Sequence, residues 1–392
     1  MRVAKLSGSV LAAICAVSLW STLANVARAD DGDRTPRFRV DASWPKLLPN
    51  DPVTHKPWVT GEVAGTCVDS HDHIFTVNRG NLIAPEDVIA TASPPVLEFD
   101  RQGNLVNAWG DRNVLPNGLH GCFVDFQDNV YIAGNGDGIV QKYSHDGRHL
   151  LLQIGTRGVC DSANGTCGNP GANMSTTRLN QPANMTVDPA NGDIYIADGY
   201  GNHRVVVFNR NGVFLRQWGN SGLGPGQFQP NDGGHPHCIV MSAEGLLYAC
   251  DRGSDRIQVF EKNPSNCTGV PPNRVCQPLR IISVVPGRGQ DTAGSAWDVG
   301  FSKDRRQTFL FDVDGGDEVL WTFDHATGVR LTFFGRPGHQ AGEFTFLHSI
   351  VLDSHGNMFL GETIGGRRVQ KFVPMGNGGD DGQGGDEGGN EQ

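Results

Sequence analysis

Apolar residues in this chain fall in short runs bounded by Asp, Asn and Gly, and one arrangement of runs recurs six times. A run ends in an apolar residue and Asp, a polar turn follows, and an alternating run begins: Val68-Asp69…Ile74-Phe75-Thr76-Val77. The pattern returns at Val124-Asp125…Val130-Tyr131-Ile132-Ala133, Val187-Asp188…Ile194-Tyr195-Ile196-Ala197 and Leu352-Asp353…Met358-Phe359-Leu360. Degenerate copies are Val240-Met241…Leu247-Tyr248-Ala249-Cys250 and Val299-Gly300…Phe309-Leu310-Phe311. The mean period is about 57 residues. Third runs such as Arg204-Val205-Val206-Val207-Phe208 lead through Asn-Gly, Asp-Gly or Thr-Gly turns to fourth runs ending near Trp109-Gly110, Trp218-Gly219 and Phe334-Gly335. Four short antiparallel strands per unit, six units and no helical period predict an all-β, six-bladed β-propeller. Phe38-Arg39-Val40-Asp41 has a strand pattern and no hairpin partner, so it is expected to complete the last blade and close the ring.

The ends of the chain read differently. Residues 1–29 combine Arg2 and Lys5, an apolar stretch from Val10 to Leu23 and the small-x-small site Ala27-Arg28-Ala29. This predicts a cleaved signal peptide and a secreted or periplasmic protein. Residues 30–375 would form the propeller. Residues 376–392, Gly-rich with Asp380, Asp381, Asp386, Glu387 and Glu391, predict a disordered acidic tail. Loss of Arg2, Lys5 and Arg28 takes the net charge from −10 to −13. With no basic block, nucleic acid is not an expected partner. No later apolar stretch is long enough to span a membrane, and a monomer is expected. Of nine cysteines, Cys15 lies in the leader. Cys160/Cys167 and Cys267/Cys276 look like local staples on loop insertions. Cys67, Cys122, Cys238 and Cys250 are equally compatible with pairing or with buried thiols.

The repeat phase exposes candidate chemistry. His120, His237 and His348 each open a first strand, about two periods apart, so alternate blades of a six-membered ring would bring three imidazoles to one axis. Three histidines with an open fourth position are the ligand set of catalytic zinc. Second strands end at the same face, which adds Arg79, Tyr200 and Arg252. Guanidiniums hold carboxylates through paired hydrogen bonds, and a tyrosine beside cations can serve as a general base. The set suits a small-molecule or peptide substrate with an oxygen near the metal and a carboxylate on the arginines. His235, two residues before His237 and out of phase, is the second choice of ligand. His71, His73, His145, His149, His325 and His355 fall in inter-strand turns, His203 and His339 in loops, and none is assigned a function.

The runs Asp198-Gly199-Tyr200-Gly201-Asn202-His203-Arg204-Val205, Gln217-Trp218-Gly219, Pro225-Gly226-Gln227-Phe228, Pro236-His237 and Asp251-Arg252 resemble the peptidyl-α-hydroxyglycine α-amidating lyases, six-bladed propellers of the NHL-repeat class. The resemblance runs from about Gly61 to Phe372. It implies a lyase that splits peptidyl- or N-acyl-α-hydroxyglycine into an amide and glyoxylate. His120, His237 and His348 would hold zinc, Tyr200 would take the hydroxyl proton, and Arg79 and Arg252 would hold and polarise substrate. The family also binds a structural calcium through two main-chain carbonyls, here those of Thr66 and Cys122, and an aspartate. Ser349 stands at the aspartate's position, which weakens the case for calcium. Gly201, Tyr248 and Val259 replace family cysteines. The copper monooxygenase domain that makes hydroxyglycine has no counterpart in the repeats, so another hydroxylated acid is a candidate substrate. The contrasting expectations are a non-catalytic NHL propeller that binds a protein or peptide, and a lactonase-type hydrolase, whose carboxylate ligands are not in phase here.

Overall fold

Each repeat forms a four-stranded antiparallel sheet in a computed structural model that describes residues 35–231, 233–285 and 293–375. The expected signal peptide (1–29) and acidic tail (376–392) lie outside these residues. Blade one comprises Val63–Val68, Ile74–Asn78, Val96–Phe99 and Leu105–Trp109; blade two, Leu119–Val124, Val130–Gly134, Ile139–Tyr143 and Leu150–Gly155. Blade three comprises Asn184–Val187, Ile194–Asp198, Arg204–Phe208 and Phe214–Trp218; blade four, Ile239–Met241, Leu246–Asp251, Arg256–Glu261 and Arg280–Ser283. Asp298–Phe301, Phe309–Asp314, Val319–Asp324 and Arg330–Phe334 make blade five. In blade six, Leu347–Leu352, Met358–Glu362 and Arg368–Met375 are joined by Arg37–Asp41, which pairs antiparallel with the last of them. The six-bladed, all-β propeller closed by an N-terminal strand is therefore observed.

The burial of each strand follows its place in the blade. Second strands such as Ile74–Asn78 and Ile194–Asp198 are buried throughout, because a blade packs on each of their faces. Fourth strands such as Phe214–Trp218 lie at the rim and alternate with solvent. The apolar core accordingly lies between blades. Tyr131, Val140 and Ile154 of blade two, for example, pack with Met185, Ile194 and Ile196 of blade three.

All eight cysteines from Cys67 onward pair. The local staples Cys160–Cys167 and Cys267–Cys276 form as expected. Of the four left open, Cys67 pairs with Cys122 across the first strands of blades one and two, and Cys238 with Cys250 inside blade four. One short helix, Glu86–Ile89, sits in the blade-one insertion, where no helix was expected.

Candidate functional site

Five residues before the residue that opens each inter-strand turn, in the first strand or just ahead of it, stand Ala64, His120, Ala183, His237, Trp297 and His348 in blade order. Local backbone geometry turns the histidines out of the ladder. In blade two the register passes from Leu119–Gly134 to Cys122–Ile132, releasing His120 and Gly121 from pairing. The Gly121 N–H instead donates to the Ala183 carbonyl of blade three, 3.0 Å away, and a Cβ on Gly121 would collide with that carbonyl. The same irregularity separates Leu347 from Ser349 around His348.

The three imidazoles converge. Their ring centroids are 4.8 Å apart for His120 and His237, 4.6 Å for His120 and His348, and 5.0 Å for His237 and His348. One ring nitrogen of each lies within 4.8 Å of the others, so the cluster could hold a metal ion. Carbonyls of the intervening blades orient the rings. Nδ1 of His120 lies 2.8 Å from the Ala183 oxygen and Nδ1 of His237 lies 2.6 Å from the Trp297 oxygen. A carbonyl can only accept, so both Nδ1 atoms carry the proton and both Nε2 atoms present lone pairs. For His348 the corresponding carbonyl, Ala64, raises proton affinity, although Nδ1 forms no hydrogen bond of normal geometry. Tyr200 Oη lies 3.0 Å from Nε2 of His120 and 3.2 Å from Nε2 of His237. One hydroxyl proton cannot serve both acceptors. A cation at their convergence satisfies the lone pairs, and the donor set is one that zinc accepts.

Electrostatics keep these rings neutral. Burial depresses all three histidines below the ordinary value of 6.5, His348 to about 3. Nearby charge adds to this: after burial the next contributors are His348 for His120, Arg252 for His237 and Arg79 for His348.

Arg252 is buried, with its guanidinium carbon 4.3 Å from the Trp297 ring centroid. Burial lowers its proton affinity and Tyr200 raises it. Among the described residues its Nε has no hydrogen-bond partner. Arg79 is tethered more firmly. Its Nε donates to the Leu119 carbonyl at 3.0 Å and its Nη1 to Glu62 at 2.5 Å, so part of its fork is already engaged. His235, the second-choice ligand, accepts the Gly253 N–H at Nδ1 and is not in the cluster. Thr66 and Cys122 line the channel beside the histidines, together with Ser349 and Asp298. Asp298 accepts the N–H groups of Val299 and Ile350, and burial pushes its carboxyl up to about 7.

Sequence reasoning missed Glu62, Trp297 and Asp298. Trp297 was within reach, because it occupies the histidine phase in blade five. Its ring stacks edge-on to His237 and His348.

The NHL repeat family profile matches residues 179–208, which include most of blade three. Human NHL repeat-containing protein 3 is 25% identical over 358 residues, covering 86% of this chain and 84% of its own length. Peptidyl-glycine alpha-amidating monooxygenase B of Xenopus laevis is 44% identical over 340 residues, 80% of this chain. The match spans 34% of that longer protein. The probable peptidyl-alpha-hydroxyglycine alpha-amidating lyase pgal-1 of Caenorhabditis elegans is 21% identical over 321 residues, 77% of this chain and 80% of its own. The chain thus carries an NHL repeat in a six-bladed propeller and is similar to proteins named as amidating lyases and monooxygenases.

Proposed function

We propose that this chain is a secreted or periplasmic, zinc-dependent lyase that cleaves peptidyl- or N-acyl-α-hydroxyglycine-like compounds to an amide and glyoxylate. The convergence of His120, His237, His348, Tyr200 and Arg252 at one point of the channel carries this reading. Similarity to proteins named as amidating lyases supports it. Four disulfides suit an oxidising compartment.

His120, His237 and His348 would hold the metal through Nε2, with Nδ1 fixed by carbonyls or, in His348, turned toward one. Bound zinc would supply Lewis-acid polarisation of the substrate's reacting oxygen. Arg252 would receive the substrate carboxylate through its unpartnered Nε and the rest of its fork. Arg79, held by Glu62, would add positive charge and position that end. Tyr200 Oη would take the hydroxyl proton. The electrons of that O–H bond form the new C=O of glyoxylate, the C–N bond breaks, and the amide nitrogen accepts a proton. Tyr200, reprotonated in the first half, would be placed to return it.

For calcium, the channel offers the Thr66 and Cys122 carbonyls, but Ser349 is a neutral hydroxyl and Asp298 is disposed to hold a proton. We expect weak calcium binding. Metal analysis of the purified chain and its variants tests the ligand set. His120→Ala, His237→Ala and His348→Ala should each lose one zinc equivalent, His203→Ala none, with little calcium in any. Unchanged zinc in all three ligand variants would remove the site.

The second reading is a non-catalytic NHL propeller that binds a protein or peptide. It is favoured by the similarity to NHL repeat-containing protein 3, which covers most of both chains and whose name states no chemistry. Turnover of a small hydroxyglycine substrate separates the two.

A further inference from the structure

A second group of metal-ligating side chains lies at the far end of the propeller from the three histidines. Asp69 and His73 come from the turn between the first two strands of blade one, Glu98 from its third strand, and His145 from the third-to-fourth turn of blade two. The carboxylates are buried, with Asp69 side-chain exposure 0% and Glu98 5%, while His73 and His145 are about one-third exposed at 32% and 37%. His73 Nδ1 is 2.6 Å from Glu98 Oε1 and 3.8 Å from Asp69 Oδ2. His145 Nε2 is 2.8 Å from Asp69 Oδ2 and 3.9 Å from Glu98 Oε1. Tetrahedral zinc with bonds of about 2.0–2.1 Å needs ligand atoms roughly 3.3–3.4 Å apart, which the two His145 distances straddle, and one ligand atom each of Asp69, Glu98 and His145 lies within 4.8 Å of the others. Asp69 Oδ1 accepts the N–H groups of His71 and His73, which fixes the carboxylate and leaves Oδ2 for the cluster.

Comparison among blades shows that this grouping departs from the repeat. The aspartate of the same turn in blade two, Asp125, pairs with Lys142 at 2.9 Å; that of blade three, Asp188, pairs with Lys262 at 2.7 Å. The bulge between third and fourth strands falls after Glu98 in blade one and after Lys142 in blade two, so these residues are equivalent. His145 and Lys262 are likewise equivalent, each two residues past the aromatic near the end of its third strand, Tyr143 or Phe260. At this one junction a carboxylate replaces one lysine and an imidazole the other, and His73 is added. Two carboxylates and the His145 imidazole then meet where blades two and three set a lysine against the aspartate, with His73 bonded to Glu98. Oxygen and imidazole donors together suit a borderline divalent metal.

We propose that Asp69, Glu98 and His145 form a second zinc site that ties blade one to blade two, with His73 Nδ1 bonded to the Glu98 carboxylate beside it. Three protein ligands leave a fourth position for water, and the site is independent of the lyase reading. The bland alternative is a pair of histidine–carboxylate bridges with no metal.

The test uses the full chain, stripped with chelator and dialysed against micromolar Zn²⁺. Wild type should take up two equivalents, and His237→Ala should retain one. Adding Glu98→Lys or His145→Lys to His237→Ala should abolish that remaining equivalent. Each lysine recreates an ion pair that blade two or blade four already makes, so folding should be preserved, which thermal unfolding in EDTA checks. Zn²⁺ should raise the Tm of His237→Ala and leave both double variants unmoved. Co²⁺ loaded into His237→Ala should give the intense visible absorption of a tetrahedral ion. Full zinc content in either double variant, or no zinc in His237→Ala while wild type holds one equivalent, would overturn the proposal. Loss of zinc in Glu98→Lys but not in His237→Ala would instead sustain this site and reject the channel site.

Discussion

Tyr200 separates catalysis from metal binding. Its oxygen touches two histidines and neighbours Arg252, yet it is not itself needed to close a three-histidine site. Tyr200→Phe should keep zinc and Tm but lose kcat by on the order of 10²-fold or more, as for a removed acid–base group. Wild-type turnover in that variant would assign the base elsewhere. Arg252→Lys should not rescue Arg252→Ala, because lysine cannot make a planar paired contact. His348 gives a pH signature in the metal-free chain. Its folded value, about 3, lies below its ordinary 6.5. It therefore adds stability in full above pH 6.5, and that contribution drains away as pH falls toward 3. Urea unfolding of metal-free His348→Gln should show a shallower loss over this window than metal-free wild type; an identical slope would contradict the burial argument. At this scale the sequence was legible where residue type and phase coincide, as for the histidines. Trp297 shares the phase but reads as core by type. Glu62 acts only through the reach of Arg79, which no spacing reveals.

At the scale of elements, insertions are held by their own chemistry. The 156–182 segment is stapled by Cys160–Cys167 and pinned to blade three by Arg204. This buried guanidinium meets Asp198 at 2.9 Å, Gln217 at 2.5 Å and the Ser175 and Arg178 carbonyls. Burial alone raises the carboxyl of Asp198, with Arg204 the first of the groups opposing it. Arg204→Ala would leave that charge uncompensated and should cost about 3–5 kcal/mol. A loss below about 1 kcal/mol in chemical denaturation would refute the pinning role. The close cysteine pairs were readable because short loops bring their partners together. Cys67–Cys122 was not, because it depends on first strands of adjacent blades abutting at the channel, a tertiary fact between partners 55 positions apart in sequence.

For the whole molecule, six copies of one strand pattern dictated the architecture, and the lone N-terminal strand pattern foretold the closure now seen between Arg37–Asp41 and Arg368–Met375. The ring converts a linear phase into convergence, so alternate blades supply histidines and intervening blades the carbonyls that orient them. The far-end cluster was not legible, since its histidines were read one by one as turn residues and its members come from two strand connections and one strand spread over two adjacent blades. The central claim is that the convergent end of the channel performs chemistry. Glyoxylate release from α-hydroxyhippurate by the zinc-loaded chain tests it most directly. The account predicts equal amounts of glyoxylate and benzamide, abolished in His237→Ala. No release from fully zinc-loaded, folded protein would contradict the lyase assignment for this substrate class and leave the binding propeller as the better reading.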